Sequence, residues 1–189
     1  MIPNGRAFNG KETFEAEGKT FCRSWKILRH GKFCLAMQVK QIHSTYKQGI
    51  AFSLSTSPVF KGSIHINGIN WPIDTRMNHV IPVSLDAPYD KVIMDLNVRD
   101  GYIRIANASD FLDDYPELIA KVSAQTGRTR EQFRGCTFTS GFAAANMYGN
   151  AFWIEMLTEN LFRFHCNDHE MDDDFDDLVF DLEIVELSE

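Results

Sequence analysis

A period of two in the apolar residues, recurring along most of the chain, limits its fold more than any other feature. In Lys19–Leu28 (KTFCRSWKIL), Phe21, Trp25 and Ile27 fall on one face, and Phe33, Leu35, Met37 and Val39 repeat the pattern after Arg29-His30-Gly31. Successive side chains of a strand point to opposite faces, so such a run buries one face as β structure and would scatter its apolar residues around a helix. The two runs read as a hairpin. Further runs occur at Ile50–Leu54, Ser63–Ile69, His79–Leu85, Val92–Val98, Tyr102–Ala106, Phe152–Leu157, Leu161–His165 and Leu178–Leu187. In the last, Leu178, Phe180, Leu182 and Ile184 share one face. Arg99-Asp100-Gly101 supplies a tight-turn signal, because glycine accepts the positive φ that such turns demand. With 189 residues, the chain has the length of one ordinary domain. The reading is all-β: an antiparallel β-sandwich or jelly roll, a single domain over 1–189, with roughly eight to eleven strands.

One stretch breaks the period. Ser109 or Asp110 suits a helix N-cap, Phe111, Leu118, Ile119 and Val122 recur at helical spacing, and Gly127 suits the stop. A short second helix is expected at 129–134, so a helical insertion spans about 110–134. Residues 118–134 also read as a helix-turn-helix, with Lys121, Arg128, Arg130 and Arg134 placed to meet phosphates. Embedded in a β chain with a strongly acidic segment elsewhere, this nucleic-acid reading ranks below the others.

The composition, 44% hydrophobic and 24% charged with 15 Phe, excludes disorder and low-complexity sequence. No apolar run approaches the roughly 18 residues needed to cross a bilayer. The first residues lack the apolar core of a signal peptide. Cys22, Cys34, Cys136 and Cys166 show neither metal-ligand spacing nor a disulfide framework, and are expected to be reduced, packed thiols.

The net charge of −7 is unevenly distributed. Asp168–Glu189 holds seven Asp and four Glu with no Lys or Arg, so it carries −11 and the remainder sums to +4. From Asp168 to Asp177, seven of ten residues are carboxylates. Unit charges ~5 Å apart repel by roughly 3 kcal/mol at an effective dielectric near 20. Several pairs fixed in one turn therefore either splay into water or take up a cation. Phe175 and the apolar strand after it tie the run to the core, and oxygen-only ligands suit a hard cation such as Ca2+. Zinc would draw on His165, Cys166 or His169. The alternative is a solvated acidic turn that discourages edge-strand aggregation.

Asp172-x-Asp174-Phe175-Asp176-Asp177-Leu178-Val179-Phe180 resembles the terminal D-x-D-[FY]-[ND]-D-[LMV]-[VI]-F signature of calcium-binding jelly-roll modules of bacterial surface and secreted proteins. The resemblance covers about 25 residues. It implies a Ca2+ near Asp168, Asp172, Asp174, Asp176 and Asp177, and a bacterial surface or secreted setting.

Some lectin-like sandwiches bind sugars through an aromatic platform. Here Asn70, Trp71 and Asp74 in one loop, and Asn146 and Tyr148 in another, are the candidate ligand-binding residues; ordinary packing of Trp71 at a sheet end is the competing reading. For catalysis there is no GxSxG, phosphate loop or HExxH. Asp113-Asp114 or Glu155-Glu159 are the acid pairs a glycan hydrolase would need. The sequence therefore puts a calcium-stabilised module that recognises carbohydrate or a partner protein ahead of a hydrolase, and both ahead of a nucleic-acid binder.

Overall fold

A computed structural model describes residues 13–56, 59–75, 78–110, 124, 139–140, 151–168 and 174–187. Their regular structure is almost wholly antiparallel β. The strands are β1 (Thr13–Ala16), β2 (Lys19–Cys22), β3 (Trp25–Ile27), β4 (Gly31–Ile42), β5 (Lys47–Leu54), β6 (Lys61–Ile66), β7 (Ile69–Asn70), β8 (Asn78–Val83), β9 (Lys91–Asp100), β10 (Ile103–Asp110), β11 (Thr139–Ser140), β12 (Ala151–Met156), β13 (Leu161–Asn167) and β14 (Leu178–Glu186). Nine form one sheet in the order β1-β2-β12-β13-β14-β4-β9-β6-β7. The second sheet runs β11-β10-β5-β8, with β3 also paired to β10. One hydrophobic core takes side chains from both sheets, among them Leu35, Met94, Phe164 and Phe180 from the larger and Ile50, Phe52, Ile103 and Ile105 from the smaller. The arrangement is sandwich-like. The expected helical insertion at about 110–134 lies, apart from Asp110 and Ala124, outside the described residues. Among the described residues no helix is long and apolar enough to cross a membrane.

Alternation locates strands but not their partners, and three turns show the difference. Lys19–Leu28 and Phe33–Val39 do not form a hairpin. The first run divides at Arg23-Ser24: β2 joins β12 in the larger sheet, and β3 joins β10 in the smaller. Strand β4 instead lies between β14 and β9. The run Ser63–Ile69 is likewise two strands, because Asn67 (φ 49°) and Gly68 (φ 79°) turn the chain from β6 into β7. Consecutive positive φ values at an Asn-Gly pair match the right-handed strand twist. Glu17 (φ 52°) and Gly18 (φ 74°) do the same between β1 and β2. The Asp100-Gly101 turn has the positive φ expected, but it carries the chain from β9 in one sheet to β10 in the other.

That crossing is tight. Gly101 has φ 84°, and a Cβ there would lie 2.8 Å from the Phe60 Cα and against the Ser55 hydroxyl, which accepts the Tyr102 N–H at 3.0 Å. Gly101→Ala is expected to lower stability by about 1–3 kcal/mol, from the left-handed backbone together with overpacking. Urea unfolding of the two proteins measures it; equal midpoints would contradict this account of the crossing.

Candidate functional site

Strand register gathers the loops that matter at one end of the sandwich. Leu178 at the start of β14 faces Ile42 at the end of β4, and Gln48 near the start of β5 faces both Val83 at the end of β8 and Ser109 near the end of β10. The acidic run therefore emerges between the end of β13 and the start of β14, beside the entry to β5.

At this end the inward faces turn from apolar to polar. Along β5 the inward series is Leu54, Phe52, Ile50, Gln48, and along β10 it is Ile103, Ile105, Asn107, Ser109. Gln48, Asn107, Ser109 and Asn167 are buried, as are two carboxylates, with Asp168 at 0% and Asp177 at 3% exposure. The Asp177 Oδ2 accepts the Asp168 backbone N–H at 2.7 Å. Asp168 Oδ2 accepts the Ser44 hydroxyl and, at 3.2 Å, the Gln48 Nε2. Gln48 Nε2 also reaches the Tyr46 carbonyl at 3.2 Å. Asn107 Nδ2 donates to the Asn167 carbonyl at 2.7 Å, tying the smaller sheet to the larger. These donors fix the amide orientations. They leave Gln48 Oε1 and Asn107 Oδ1 buried with no hydrogen-bond partner. Beside the cluster, burial first and the Asp177 charge second push the Cys166 thiol well above its ordinary range, which keeps it neutral.

The other acidic residues point elsewhere. Asp176 Oδ2 lies 2.7 Å from His43 Nδ1 and accepts Gln41 Nε2 at 3.3 Å. Asp174 is exposed, and its Oδ1 accepts the Asp176 backbone N–H at 3.2 Å. Between Asp174 and Asp176, Phe175 adopts φ 60° and buries its ring against Phe21, centroids 4.8 Å apart. A positive φ costs a bulky residue about 1–2 kcal/mol, which the buried ring offsets. Of the five acidic residues in the motif reading, the structure thus brings Asp168 and Asp177 together and sets Asp174 and Asp176 outside them; Asp172 is outside the described residues. Among the described residues, no three His, Cys, Asp or Glu side chains converge as metal ligands.

The aromatic candidates also divide. Trp71 is partly buried against the core, edge-on to Phe52 at 6.0 Å, and its Nε1 donates to His79 Nδ1 at 3.1 Å. It closes a sheet end. Asn70 is exposed and Asp74 half-buried, while Asn146 and Tyr148 are outside the described residues. Among the described residues the exposed aromatic is instead Tyr89, at 59%. It lines an open groove of about 480 Å³ with Asn67, Ala87, Pro88, Asp90 and Lys91. The turn is braced by Tyr89 N–H to the Asp86 carbonyl at 2.9 Å and Ser84 N–H to the Tyr89 carbonyl at 3.0 Å. Asp90 is fixed to β4, its carbonyl accepting the Val39 N–H at 2.8 Å. Because Lys91 faces Gln38 on β4, the groove opens at the same end as the acidic run, with β4 between them.

The residues missed in the sequence are Ser44, Gln48, Asn107, Asn167 and Tyr89. Gln48 and Asn107 carried a signal, since each is polar at an inward position of an alternating run. Of the acid pairs considered for hydrolysis, Glu155 lies 3.4 Å from His165 on the outer face and Glu159 is in the exposed turn after β12, while Asp113 and Asp114 are outside the described residues. So are nearly all of residues 118–134 and Cys136. The three described cysteines, Cys22, Cys34 and Cys166, are free thiols. No protein-family model, no curated protein and no solved structure matches the chain.

On the outer face of the larger sheet, cross-strand partners Arg163 and Asp181 form a bidentate pair at 2.7 and 3.1 Å, with Lys40 at 3.5 Å. Lost hydration pushes the Asp181 carboxyl up, but the Arg163 hydrogen bonds and charge, with Lys40, outweigh this and hold it below its ordinary 3.8. Two residues along β13, His165 stacks on Trp153 at 3.9 Å, and burial, opposed by Glu155, lowers its pKa below 6.5. Both groups bind protons more readily in the unfolded chain. Stability therefore falls as the pH drops below 6.5 through His165, and falls again below 3.8 through Asp181. Asp181→Asn should flatten the acid limb below pH ~4 while leaving the His165 step. Urea unfolding between pH 8 and 3 tests this, and an unchanged acid limb in the variant would refute it.

Proposed function

We propose that the chain is a calcium-stabilised β-sandwich module that recognises carbohydrate or a partner protein, of jelly-roll topology and with a helical insertion at about 110–134. The observation that carries the reading is the joining of two features at one end of the sandwich. An acidic loop enters and leaves through buried carboxylates, and an open groove with an exposed aromatic stands across β4 from it. A purely solvating acidic turn would leave its carboxylates in water, whereas Asp168 and Asp177 are inside. The groove favours a sugar, because the Tyr89 ring offers a face for stacking with Asn67, Asp90 and Lys91 near it to hydrogen-bond hydroxyls. The anchored turn beneath Tyr89 presents that ring with little ordering left to do on binding.

Binding of Ca2+ to the folded state alone adds about 2.7 kcal/mol at a hundredfold excess over Kd, a rise of roughly 5–10 °C in melting temperature for a domain of this size. Thermal melts in chelator and in millimolar calcium are expected to show that rise. Identical melts would remove calcium from the reading. A glycan array, run with and without calcium, is expected to show hits that Tyr89→Ala loses; hits unaffected by Tyr89→Ala would place recognition elsewhere.

A further inference from the structure

We propose that the Phe175 ring is a latch between the acidic run and the β1–β2 hairpin, so that turning Phe175 outward undocks the hairpin from the larger sheet. The hairpin and the run around Phe175 then open as one unit, while the rest of the sandwich stays closed. The coupling depends neither on calcium nor on the groove at Tyr89.

The hairpin is lightly held. Strand β2 meets β12 in two facing pairs, Cys22 with Phe152 and Phe21 with Trp153, whereas β13 and β14 face each other over six. Cys22 packs against the main core, and Lys19 sets its ammonium 3.9 Å from the centre of the Trp153 ring. Phe21 is 1% exposed yet does not belong to that core. It is buried in a separate small cluster with Ala151 and Phe175, against which Trp153 packs. The hairpin, the start of β12 and the acidic run thus each give one buried side chain to a cluster of their own. The Phe21 and Phe175 rings meet at 4.8 Å, so taking either away strips apolar cover from the other.

Backbone conformation makes Phe175 a two-position element. At φ 60° it occupies a region that disfavours a bulky side chain, and burial of the ring is what repays the strain. A return to ordinary negative φ would relieve the strain and carry the ring out of the cluster. The residues after it are held independently of that ring. Asp176 is tied to His43 and Gln41, and the Asp177 carbonyl accepts the His43 N–H at 3.2 Å. Phe175 can therefore turn while its downstream neighbours stay on β4. Because linkage is reciprocal, loosening the hairpin must also loosen the run around Phe175. Anything that engages Asp174 or Asp176 acts on the residues flanking this turning point, and so on the docking of the hairpin.

Hydrogen exchange read by mass spectrometry on the full-length chain tests both directions. Phe175→Asn removes the ring while suiting a positive φ, since Asn visits that region more readily than Phe. It should speed exchange across Thr13–Cys22 by roughly tenfold or more and leave β4 and β9 within about twofold of wild type. Phe21→Leu should speed exchange across Asp174–Asp177 by roughly threefold or more, although no residue of the acidic run has changed. If Phe175→Asn folds poorly, Phe175→Leu keeps apolar bulk without the ring and should give the same pattern at smaller amplitude. An unchanged hairpin in the Phe175 variants, or an effect in one direction only, would refute the latch. Equal acceleration in β4 and β9 would also refute it, because Phe175 would then be an ordinary part of the global core.

Discussion

Strand β14 is held between β13 and β4, with Leu178, Phe180 and Leu182 fully buried, and the most acidic stretch of the chain ends directly before it. A central strand cannot shift to suit its neighbours, so the loop before it must begin and end inside the protein. Asp168 directly follows β13 and Asp177 directly precedes β14, and the hydrogen bond between them draws the neck of the loop together. Carboxylates brought that far from water need polar groups in return. The Ser44 hydroxyl supplies one from the connection between β4 and β5, and the Gln48 amide another from β5 itself. Polar residues at the ends of β5, β10 and β13 are thus a consequence of where the acidic loop has to start.

The same geometry explains why the plausible binding features share one end. Strand β4 is 12 residues long and spans both. Near its end, Gln41 touches Asp176, and three residues earlier Gln38 touches Asp90 beside the groove. Its middle is fixed by core packing on one face and by two flanking ladders. Among the described residues, the link from the acidic loop to the groove is therefore a rigid element. Coupling by a large loop rearrangement has no support in this arrangement, and pre-organisation of the groove by a stabilised sandwich end does.

How much of this was legible follows from what each signal encodes. Alternation of apolar residues encodes which face of a strand is buried, and Leu178, Phe180 and Leu182 lie where that pattern put them. It does not encode the partner, so the β2–β4 hairpin was drawn where β2 and β3 in fact part into different sheets. Asn67-Gly68 carried a strong hairpin signal, but the flanking isoleucines continued the period and masked it. The acidic run marked a special loop from composition alone. Which carboxylates turn inward depends on Ser44, Gln48 and Asn107, residues 60 or more positions away from Asp168, and spacing within the run holds no information about them. Trp71 drew notice as a rare aromatic in a loop, whereas among the described residues the exposed ring is Tyr89, and that distinction requires knowing that His79 takes the Trp71 N–H.

The outer face also bears on what happens inside. A strand slipped by one residue presents every side chain to the wrong face. In the β13–β14 ladder, such a slip would break the facing of Arg163 and Asp181, forcing a bidentate ion pair apart or into the core. It would also carry Phe180 outward and take Asp168 away from Ser44 and Gln48. An exposed ion pair contributes little to stability, but this one is mostly covered, with the Asp181 side chain only 12% exposed. Its weight lies in the difference it makes between the correct register and its neighbours. Stacking of Trp153 on His165, a facing pair of the β12–β13 ladder, penalises a slip of β13 against its other neighbour. Two outward pairs thus fix the register on which the buried carboxylates depend, so the polar end of the sandwich is specified from the solvent side as well as from the core.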